Sequence, residues 1–398
     1  MHVLIVSNLY PPDVLGGYEL LARDVAERFV RRGHRVTVFT SGDGSIRDGV
    51  HRTMTLARPF GDDAGRDRAR HVVTARANRR ALEELLAFTG KPDCALIMSL
   101  RRVGPEPLRV LDEAGIPFVV TVNDDWPSVH AEAPRRTSPR GLAAYVLDRA
   151  PFARHTFRGV SVRHVVYLSA AIRDEVLRAG APFPNGTVVY QGVDTDVFRP
   201  DGGTGKKGEL LFVGRLHPSK APDIAIEALA ELRAKGRDVR LTLAGNPVTE
   251  AYGRELRALA RARGVEAHTK FVGLVPRHEL PRLYHSAEAV LFLGRYAGEA
   301  QGLVPIEAMA CGRPVVFAAL GGAKEFVSGH DATVDAPICD GPHVAAAAAR
   351  LLDDAELGRR VVERGLQLVE TQGSIDAYAD ALLAHLEASR GDAQGRAA

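Results

Sequence analysis

Short unbroken apolar segments alternate with amphipathic segments along the chain, in two separate series. The first series contains HVLIVS, RVTVFT, CALIMS and PFVVTV, and the second contains LLFVG, RLTLAG, AVLFLG and PVVFAAL. Amphipathic segments lie between them, such as YELLARDVAERFVRRG, in which Leu21, Val25 and Phe29 share one helical face before Gly33. Apolar strands joined through helices are typical of parallel sheets covered on both faces. The sequence therefore predicts an α/β protein with two doubly wound, Rossmann-like domains.

The boundary between the two predicted domains lies in RPDGGTGKKGE at 199–209, which is rich in glycine and charge. At 398 residues the chain is too long for one core of ordinary size. We expect an N-terminal domain over residues 1–200 and a C-terminal domain over 208–373. Because ligands of such sheets bind beyond the carboxyl ends of the strands, the loops after the strands are the candidate site.

Composition excludes several classes of protein. The chain is 45% hydrophobic and 25% charged, which is typical of a globular protein and not of a disordered one. The apolar run at the start is too short for a signal peptide, and no segment is long enough for a transmembrane helix, so we expect a cytoplasmic protein. Cys94, Cys311 and Cys339 lie far apart without a CxxC motif, which favours buried thiols over disulfides or zinc.

Arginines are concentrated in 66–80 and in 134–164, and the second segment contains a single acid, Asp148. Such a surface could meet an anionic acceptor or a membrane. The arginines are not part of a known nucleic-acid-binding motif, so a solvated face is favoured and no nucleic-acid partner is expected.

The stretch GEAQGLVPIEAMACGRPVV places two glutamates around the start of a helix. Pro305 is typical of the first helical turn and Gly312 of the end, so Glu307 lies in the first turn and Glu299 in the loop before it. Backbone N–H groups at a helix start suit a phosphate, whereas carboxylates accept hydrogen bonds from the two hydroxyls of a diol. A nucleotide sugar fits this pattern. The alternative for Glu307 is an acid that only favours the helix dipole.

Two further loops are candidates for the same ligand. FVGRLHPSKA places Arg215 and Lys220 directly after an apolar strand, where they could neutralise a diphosphate or be ordinary surface cations. Gly16 and Gly17 follow the first strand, where backbone can approach a ligand closely. The same loop lacks the GxGxxG pattern, which argues against a nicotinamide dehydrogenase.

Together these motifs resemble the retaining glycosyltransferases of the GT-B fold, specifically the sugar-nucleotide enzymes of family 4. The resemblance covers nearly the whole chain, through PPDVLGG, RGHRVTVFT, VVYQGVDTDVFRP, FVGRLHPSKAPDIAIEAL, GEAQGLVPIEAMACGRPVV and LGGAKEF. It implies two Rossmann-like domains facing a central cleft. It also implies that a C-terminal helix at about 374–389 packs back on the first domain, followed by a disordered tail from Arg390.

The resemblance implies a role for each motif. Glu299 is expected to hold hydroxyls of the transferred sugar, and Glu307 the ribose of the nucleotide. The anomeric configuration is retained without a protein nucleophile, because the departing diphosphate takes the proton of the acceptor hydroxyl on the same face. The implied catalytic residues are Arg215, Lys220 and Glu299. The residues expected against the diphosphate are Gly16, Gly17, Gln301, Gly302 and Leu303.

The chain departs from the family pattern at two places. In VVTVNDDW, Asn123 stands where the family commonly has a histidine; it can form hydrogen bonds but cannot titrate. Asn123, Asp124 and Asp125 are therefore the candidates for binding the acceptor. Leu293-Gly294-Arg295 stands where the family often has a proline-serine pair, and Arg295 is a candidate for an extra phosphate or acceptor contact.

No metal or cofactor is expected. Asp194 and Asp196 form a DxD pattern, but in this family that position enters the interdomain linker. Arg215 and Lys220 would offset the charge of the diphosphate instead of a divalent ion.

The expected activity is that of a hexosyltransferase with a nucleotide-sugar donor, most commonly a UDP-sugar in this family. The acceptor carries a hydroxyl and is either a small soluble core such as an aminocyclitol, or a polysaccharide or lipid-linked acceptor. A nucleotide-sugar epimerase or a sugar phosphorylase is an alternative on the same scaffold. A two-domain solute-binding protein is a further alternative, which would not need the two cations. The sequence does not indicate the oligomeric state.

Overall fold

The computed structural model of the chain describes residues 1–60, 68–131, 138–139, 142–143, 145–146, 156–295 and 300–397. These residues form two compact units. Unit 1 comprises Met1–Val189 and Tyr378–Ala398, and unit 2 comprises Tyr190–Ala377. The chain first passes from unit 1 to unit 2 between Val189 and Tyr190, which is before the boundary that the sequence predicted at 199–209.

Unit 1 is built on a sheet of eight strands. The strands are β1 His2–Ser7, β2 Arg35–Ser41, β3 Ile46–Arg47, β4 Val50–Met54, β5 Cys94–Ser99, β6 Phe118–Val122, β7 His164–Tyr167 and β8 Thr187–Val188. Their order is β3-β4-β2-β1-β5-β6-β7-β8, and only the β3–β4 pair is antiparallel among the described strands. Every residue of β5 and β6 is buried, as expected for strands covered on both faces.

Helices cover the sheet of unit 1. They are α1 Gly17–Arg31, α2 Arg68–Thr89, α3 Glu106–Glu113, α4 Trp126–Val129 and α5 Ala170–Arg178. In α1, Leu21, Val25 and Phe29 are almost fully buried, which confirms the apolar face predicted from their spacing. Gly33 follows this helix with a φ of 79°, a left-handed conformation that favours glycine.

Unit 2 is built on a sheet of six parallel strands. The strands are β9 Lys206–Val213, β10 Arg240–Ala244, β11 Thr269–Gly273, β12 Ala287–Leu293, β13 Val315–Ala318 and β14 Thr333–Asp335, in the order β11-β10-β9-β12-β13-β14. The helices are α6 Pro222–Ala234, α7 Glu250–Ala262, α8 Leu280–Ser286, α9 Val304–Ala310, α10 Gly322–Val327, α11 Gly341–Asp353 and α12 Ala355–Gln372. β9 and β12 are neighbours at the centre of the sheet, so the loops that follow them meet at one edge.

The last helix, α13 Ile375–Ala397, starts in unit 2 and belongs to unit 1 from Tyr378 onward. In unit 1 its Asp380 accepts a hydrogen bond from Nε of Arg32 at 2.6 Å. The helix continues to Ala397, so the expectation of a disordered tail from Arg390 was wrong. Two residues of this stretch contact unit 1: Nη2 of Arg390 lies 3.7 Å from Oδ1 of Asp93, and Oδ2 of Asp392 lies 3.2 Å from Nε2 of His164.

Three remaining sequence predictions concern the surface and the thiols. Cys94, Cys311 and Cys339 are unpaired, and the first two are buried. In the described part of the chain, no helix combines the length and apolarity needed to cross a bilayer. Of the arginine-rich segments, residues 66–67 of the first and residues 134–137, 140–141, 144 and 147–155 of the second lie outside the described residues.

Candidate active site

The loops that follow β9 and β12 lie side by side in unit 2. The first carries Arg215 and Lys220, and the second leads through 294–303 to Glu307. The backbone N–H of Arg295 in the second loop donates to the carbonyl oxygen of Ser219 in the first, at 2.9 Å. Glu299, which the sequence placed in the site, falls in 296–299 and lies outside the described residues. The structure thus brings the cation-bearing loop next to the loop that precedes α9.

The loop after β9 is held by its central residue, Leu216. Its N–H donates to the carbonyl oxygen of Asn246 at 2.9 Å, and its carbonyl accepts from the N–H of Val248 at 3.0 Å. The Leu216 side chain is 2% exposed and belongs to the core. Arg215 beside it is exposed and Lys220 is partly buried. A buried anchor between two cations fixes the backbone that carries them.

Arg295 joins the two loops through its side chain as well. Its guanidinium donates to both carboxylate oxygens of Asp223, at 2.8 and 2.6 Å, and to the carbonyl oxygen of Pro218 at 3.2 Å. The hydrogen bonds that Arg295 donates to Asp223 raise the pKa of Arg295 above its ordinary value. The structure therefore places Arg295, a sequence candidate for a phosphate contact, in a bidentate pair within the protein.

The side chain of Gln301 anchors the segment 301–303, which precedes α9. Its side chain is fully buried, and it accepts from the N–H of Gln191 at 2.8 Å and donates to the Gln191 carbonyl at 3.2 Å. Gly302 follows with a φ of 79°, where a Cβ would be strained. Leu303 caps α9, and its carbonyl accepts the N–H of Glu307 at 2.8 Å. Because the Gln301 side chain is buried and bonded to Gln191, Gln301 can meet a ligand only with its backbone.

Glu307 lies in the first turn of α9, as the sequence predicted, and is 5% exposed. The hydroxyl of Tyr284 donates to its Oε2 at 2.8 Å. Burial raises the pKa of Tyr284 well above its ordinary value, and the Glu307 carboxylate raises it further. A buried carboxylate is costly without hydrogen-bond donors, and the Tyr284 hydroxyl is one such donor to Glu307.

In unit 1, Gly16 and Gly17 lie after β1, at the start of α1. Gly16 is exposed, and a Cβ built on it would contact nothing within 4 Å. The Glu19 carboxylate accepts from the backbone N–H groups of Gly16 and Leu15, at 3.0 and 3.3 Å. Burial raises the pKa of Glu19. Glu19 thus satisfies backbone donors that a phosphate could otherwise meet at this helix start.

Asn123, Asp124 and Asp125 follow β6, and Arg101 follows the neighbouring strand β5. Nε of Arg101 donates to Oδ2 of Asp124 at 3.3 Å, and its Nη2 donates to Oδ1 of Asp125. The pKa of Arg101 is raised: burial, the largest influence, would lower it, and the two carboxylates outweigh that effect. Asn123 is 5% exposed, and its amide lies next to the buried hydroxyl of Tyr378 in α13.

These residues belong to a recognisable protein family. Residues 194–368 match the family described as "Glycosyl transferases group 1", and residues 15–197 match "Glycosyltransferase Family 4". The fold is that of Anabaena HepE, solved in complex with UDP and glucose, with a TM-score of 0.69 and 19% identity over 97% of this chain and 99% of HepE. The chain is a group 1 glycosyltransferase with the GT-B fold.

Two curated relatives extend over much of this glycosyltransferase. Glycogen synthase of Mycobacterium tuberculosis is 27% identical over 423 residues, which cover 99% of this chain and 96% of the relative. Alpha-D-kanosaminyltransferase of Streptomyces kanamyceticus is 28% identical over 285 residues, which cover 67% of this chain and 69% of the relative. Both matches agree with the predicted glycosyltransferase class.

The DxD pattern of this glycosyltransferase has a local structural use. Oδ1 of Asp194 accepts the N–H of Asp196 at 3.0 Å, and the Asp194 carbonyl accepts the N–H of Phe198 at 2.8 Å. Among the residues the structure describes, no three His, Cys, Asp or Glu side chains are grouped in a way that could hold a metal ion.

Sequence reasoning missed three residues of these sites in the glycosyltransferase. Arg101 is the first charged residue after the apolar strand CALIMS, a signal like the one that identified Arg215. Glu19 stands three residues after Gly16, the spacing of a capping box. Tyr284 lies 23 residues before Glu307, and no local pattern connects the two.

Proposed function

We propose that this glycosyltransferase moves a sugar from a nucleoside-diphosphate sugar, in the first instance a UDP-sugar, to a hydroxyl of a small acceptor. The transfer retains the anomeric configuration and needs no divalent ion. The observation that carries the proposal is the pairing of the two loops of unit 2. It sets the cations of one loop beside the segment that leads to the buried Glu307 in the other.

The donor site follows from the chemistry of these groups. A carboxylate in the position of Glu307 accepts hydrogen bonds from the two hydroxyls of a ribose. Arg215 and Lys220 supply positive charge for a diphosphate, and the backbone of Gln301, Gly302 and Leu303 supplies the donors of a helix start. The solved complex of HepE with UDP and glucose supports a uridine nucleotide as the first candidate.

In the proposed reaction, the bond between the anomeric carbon and the diphosphate oxygen breaks, and the acceptor oxygen bonds to the same carbon on the same face. The proton of the acceptor hydroxyl goes to the departing diphosphate oxygen. Arg215 and Lys220 stabilise the negative charge that develops on the diphosphate, and Glu299 holds hydroxyls of the transferred sugar. The two cations take the role that a divalent ion has in other transferases.

The acceptor site is proposed at the carboxyl edge of unit 1. Asp124 and Asp125 share one cation, Arg101, so this group carries a net negative charge. The charge favours an acceptor that bears an amine as well as hydroxyls, such as an aminocyclitol, over a phosphorylated one. The Asn123 amide can donate to and accept from a hydroxyl. The close approach of the donor phosphates to Gly16 and Gly17 stays a prediction; because Glu19 already accepts the Gly16 N–H, it depends on the absence of side chains there and not on that donor.

The alternative acceptor is a polysaccharide or a lipid-linked sugar, and the similarity to glycogen synthase favours the polysaccharide among these. A nucleotide-sugar epimerase is the other alternative. Incubation of the enzyme with its donor, with and without acceptor, separates the two: a transferase forms a glycoside only with acceptor, whereas an epimerase changes the sugar without one.

The donor is tested by thermal stabilisation and slow hydrolysis with UDP-, GDP-, dTDP- and ADP-sugars, in EDTA and then with magnesium. Glu307→Gln keeps the shape and an acceptor for the Tyr284 hydroxyl, but replaces one carboxylate oxygen by an amide. Glu363→Ala, at an exposed position of α12, is the control. We expect stabilisation by one nucleotide series in EDTA that weakens in Glu307→Gln only.

The contact of Glu307 with the ribose has its own readout. Wild type should bind UDP more tightly than dUDP, and the difference should shrink in Glu307→Gln. Stabilisation only in the presence of magnesium, or by no nucleotide at all, contradicts the proposal.

A further inference from the structure

His217 lies between Arg215 and Lys220 in the loop after β9, and its hydrogen bonds select one tautomer of the neutral ring. Its Nδ1 accepts the backbone N–H of Ser219 at 3.1 Å and lies 2.7 Å from the Ser219 hydroxyl oxygen. Because a backbone N–H can only donate, Nδ1 must present its lone pair. The proton of the neutral imidazole is therefore on Nε2, on the far side of the ring from the turn that Ser219 belongs to.

The surroundings of the ring also disfavour its charged form. Burial lowers the pKa of His217, and the charges of Arg215 and Lys220 lower it further. No described residue is a hydrogen-bond partner of Nε2. His217 therefore presents one neutral N–H donor close to two cations.

The backbone orients this donor. The His217 N–H donates to the carbonyl of Arg215 at 2.9 Å, which makes Leu216 the apex of a tight turn. Since Leu216 points into the core, the side chains of Arg215 and His217 leave the turn on the other side. Lys220 ends the short helical turn Pro218–Lys220 that His217 caps.

We infer that Nε2–H of His217 donates a hydrogen bond to the diphosphate of the donor and to the departing diphosphate in the transition state. This inference rests on the proposed function. A neutral donor adds stabilisation of the developing charge without adding a third positive charge beside Arg215 and Lys220. A donor that is already fixed by its Nδ1 bonds also needs no reorientation when the sugar bond breaks.

The competing explanation is that His217 only caps the turn that positions Lys220. Two substitutions separate the explanations. In His217→Asn, the side-chain oxygen can take the place of Nδ1 as the cap, because Asn is among the best capping residues. No donor remains at the position of Nε2, because the amide nitrogen of Asn lies closer to the backbone. In His217→Ala both the cap and the outer donor are lost. Both variants are compared with wild type for donor hydrolysis and for binding of UDP and UMP.

If Nε2–H contacts the diphosphate, His217→Asn loses about 10- to 100-fold in kcat and also loses part of its preference for UDP over UMP, while its melting temperature stays near wild type. His217→Ala is impaired at least as much. If His217→Asn has the activity and the UDP preference of wild type, the residue is only a cap and the inference is overturned.

A direct measurement is independent of turnover. In protein labelled with ¹⁵N-histidine, the resonances absent from His217→Asn belong to His217 and should show a protonated Nε2 and an unprotonated Nδ1. UDP should shift the Nε2 resonance. If UDP stabilises wild type but does not shift the Nε2 resonance, the inference about His217 is overturned while the proposed donor site stands. If wild type binds no nucleoside diphosphate, the proposed donor site itself is wrong.

Discussion

The hydroxyl of Tyr284 donates to Oε2 of Glu307 at 2.8 Å, and the two side chains are 0% and 5% exposed. Tyr284 comes from α8 and Glu307 from α9, so the bond fixes the first turn of one helix against another element of unit 2. The ring of Tyr284 also packs edge-on against Phe198. A carboxylate aligned in this way is ready to bind a ligand without rearranging.

The first prediction concerns this bond. Tyr284→Phe keeps the packing with Phe198 but removes a hydrogen bond to a buried charge, which should reduce the free energy of unfolding by about 1.5–3 kcal/mol. Nucleotide affinity should also fall, because Glu307 loses one of the groups that orient it. Urea unfolding and a UDP titration measure the two effects.

Tyr252→Phe is the control for this prediction, because the Tyr252 hydroxyl makes only a long contact of 3.5 Å with Asp223. It should change unfolding and UDP binding little. Equal effects of the two substitutions would show that the Tyr284 hydroxyl has no particular role.

Much of the fold could be predicted from the sequence, because burial on both faces leaves a continuous apolar run in each central strand. The runs CALIMS and PFVVTV correspond to β5 and β6. Edge elements were less visible: β8 covers only Thr187–Val188, and the short β3–β4 hairpin was not predicted. Edge strands bury less surface, so the apolar pattern that identifies them in the sequence is weaker.

For the site, the sequence could indicate which residues follow the strands but not what they contact. Arg215 and Glu307 became candidates through their place after or beside an apolar run, and Asn123 through the resemblance to the family. The pairing of Arg295 with Asp223 could not, because it joins residues 72 positions apart whose meeting depends on the order of β9 and β12 in the sheet. A charged residue in a loop looks the same in the sequence whether it binds a ligand or another part of the protein.

The second prediction uses the Arg295–Asp223 pair. Removing either partner, by Arg295→Ala or Asp223→Ala, should lower kcat for donor hydrolysis by about tenfold, because the pair holds the loop of Lys220 against the loop of Arg295. The coupling energy for stability in a double-mutant cycle should be only about 0.5–1 kcal/mol, since both side chains are partly exposed.

The Arg237–Asp353 pair provides the matched control, because it is also bidentate, at 2.7 and 2.5 Å, and lies in unit 2 away from the two loops. Its removal should give a similar coupling energy in unfolding and leave kcat unchanged. A loss of activity that is no larger for Arg295 than for Arg237 would mean that the loops keep their positions without the pair.

The third prediction concerns Gly192. A Cβ at this position would lie 2.0 Å from the backbone carbonyl carbon of Ser374, in a segment where Val193 pairs with Gly373 and Ile375. Gly192→Ala must separate these backbones, so it should lower the free energy of unfolding by more than about 3 kcal/mol. Gly391→Ala in α13, where a Cβ would contact nothing within 4 Å, should be neutral or stabilising by up to about 1 kcal/mol. Chemical denaturation of both variants is the measurement, and a stable Gly192→Ala protein would contradict the close approach.

The fourth prediction is a loss of stability in mild acid. His51 in β4 is 4% exposed and packs edge-on against Phe88. Burial lowers its pKa below the ordinary 6.5, and burial is also the largest influence that lowers the pKa of His2, His34, His217 and His385. Between the lowered pKa and 6.5 the unfolded chain binds more protons than the folded chain, so stability rises with pH in that window and falls as the pH drops through it.

The melting temperature should therefore decrease from about pH 7.5 to about pH 5.5. His51→Gln, which cannot bind a proton, should decrease less than wild type over this range. The exposed His278, whose side chain is 80% exposed, provides the control, and His278→Gln should follow the wild-type curve. Aspartates such as Asp93 and Asp353, whose pKa values are lowered by hydrogen bonds from His2 and Arg237, lose their stabilising effect only at lower pH, below their ordinary 3.8. A melting temperature that stays constant or rises as the pH falls from neutral would show that the buried histidines accept protons without unfolding.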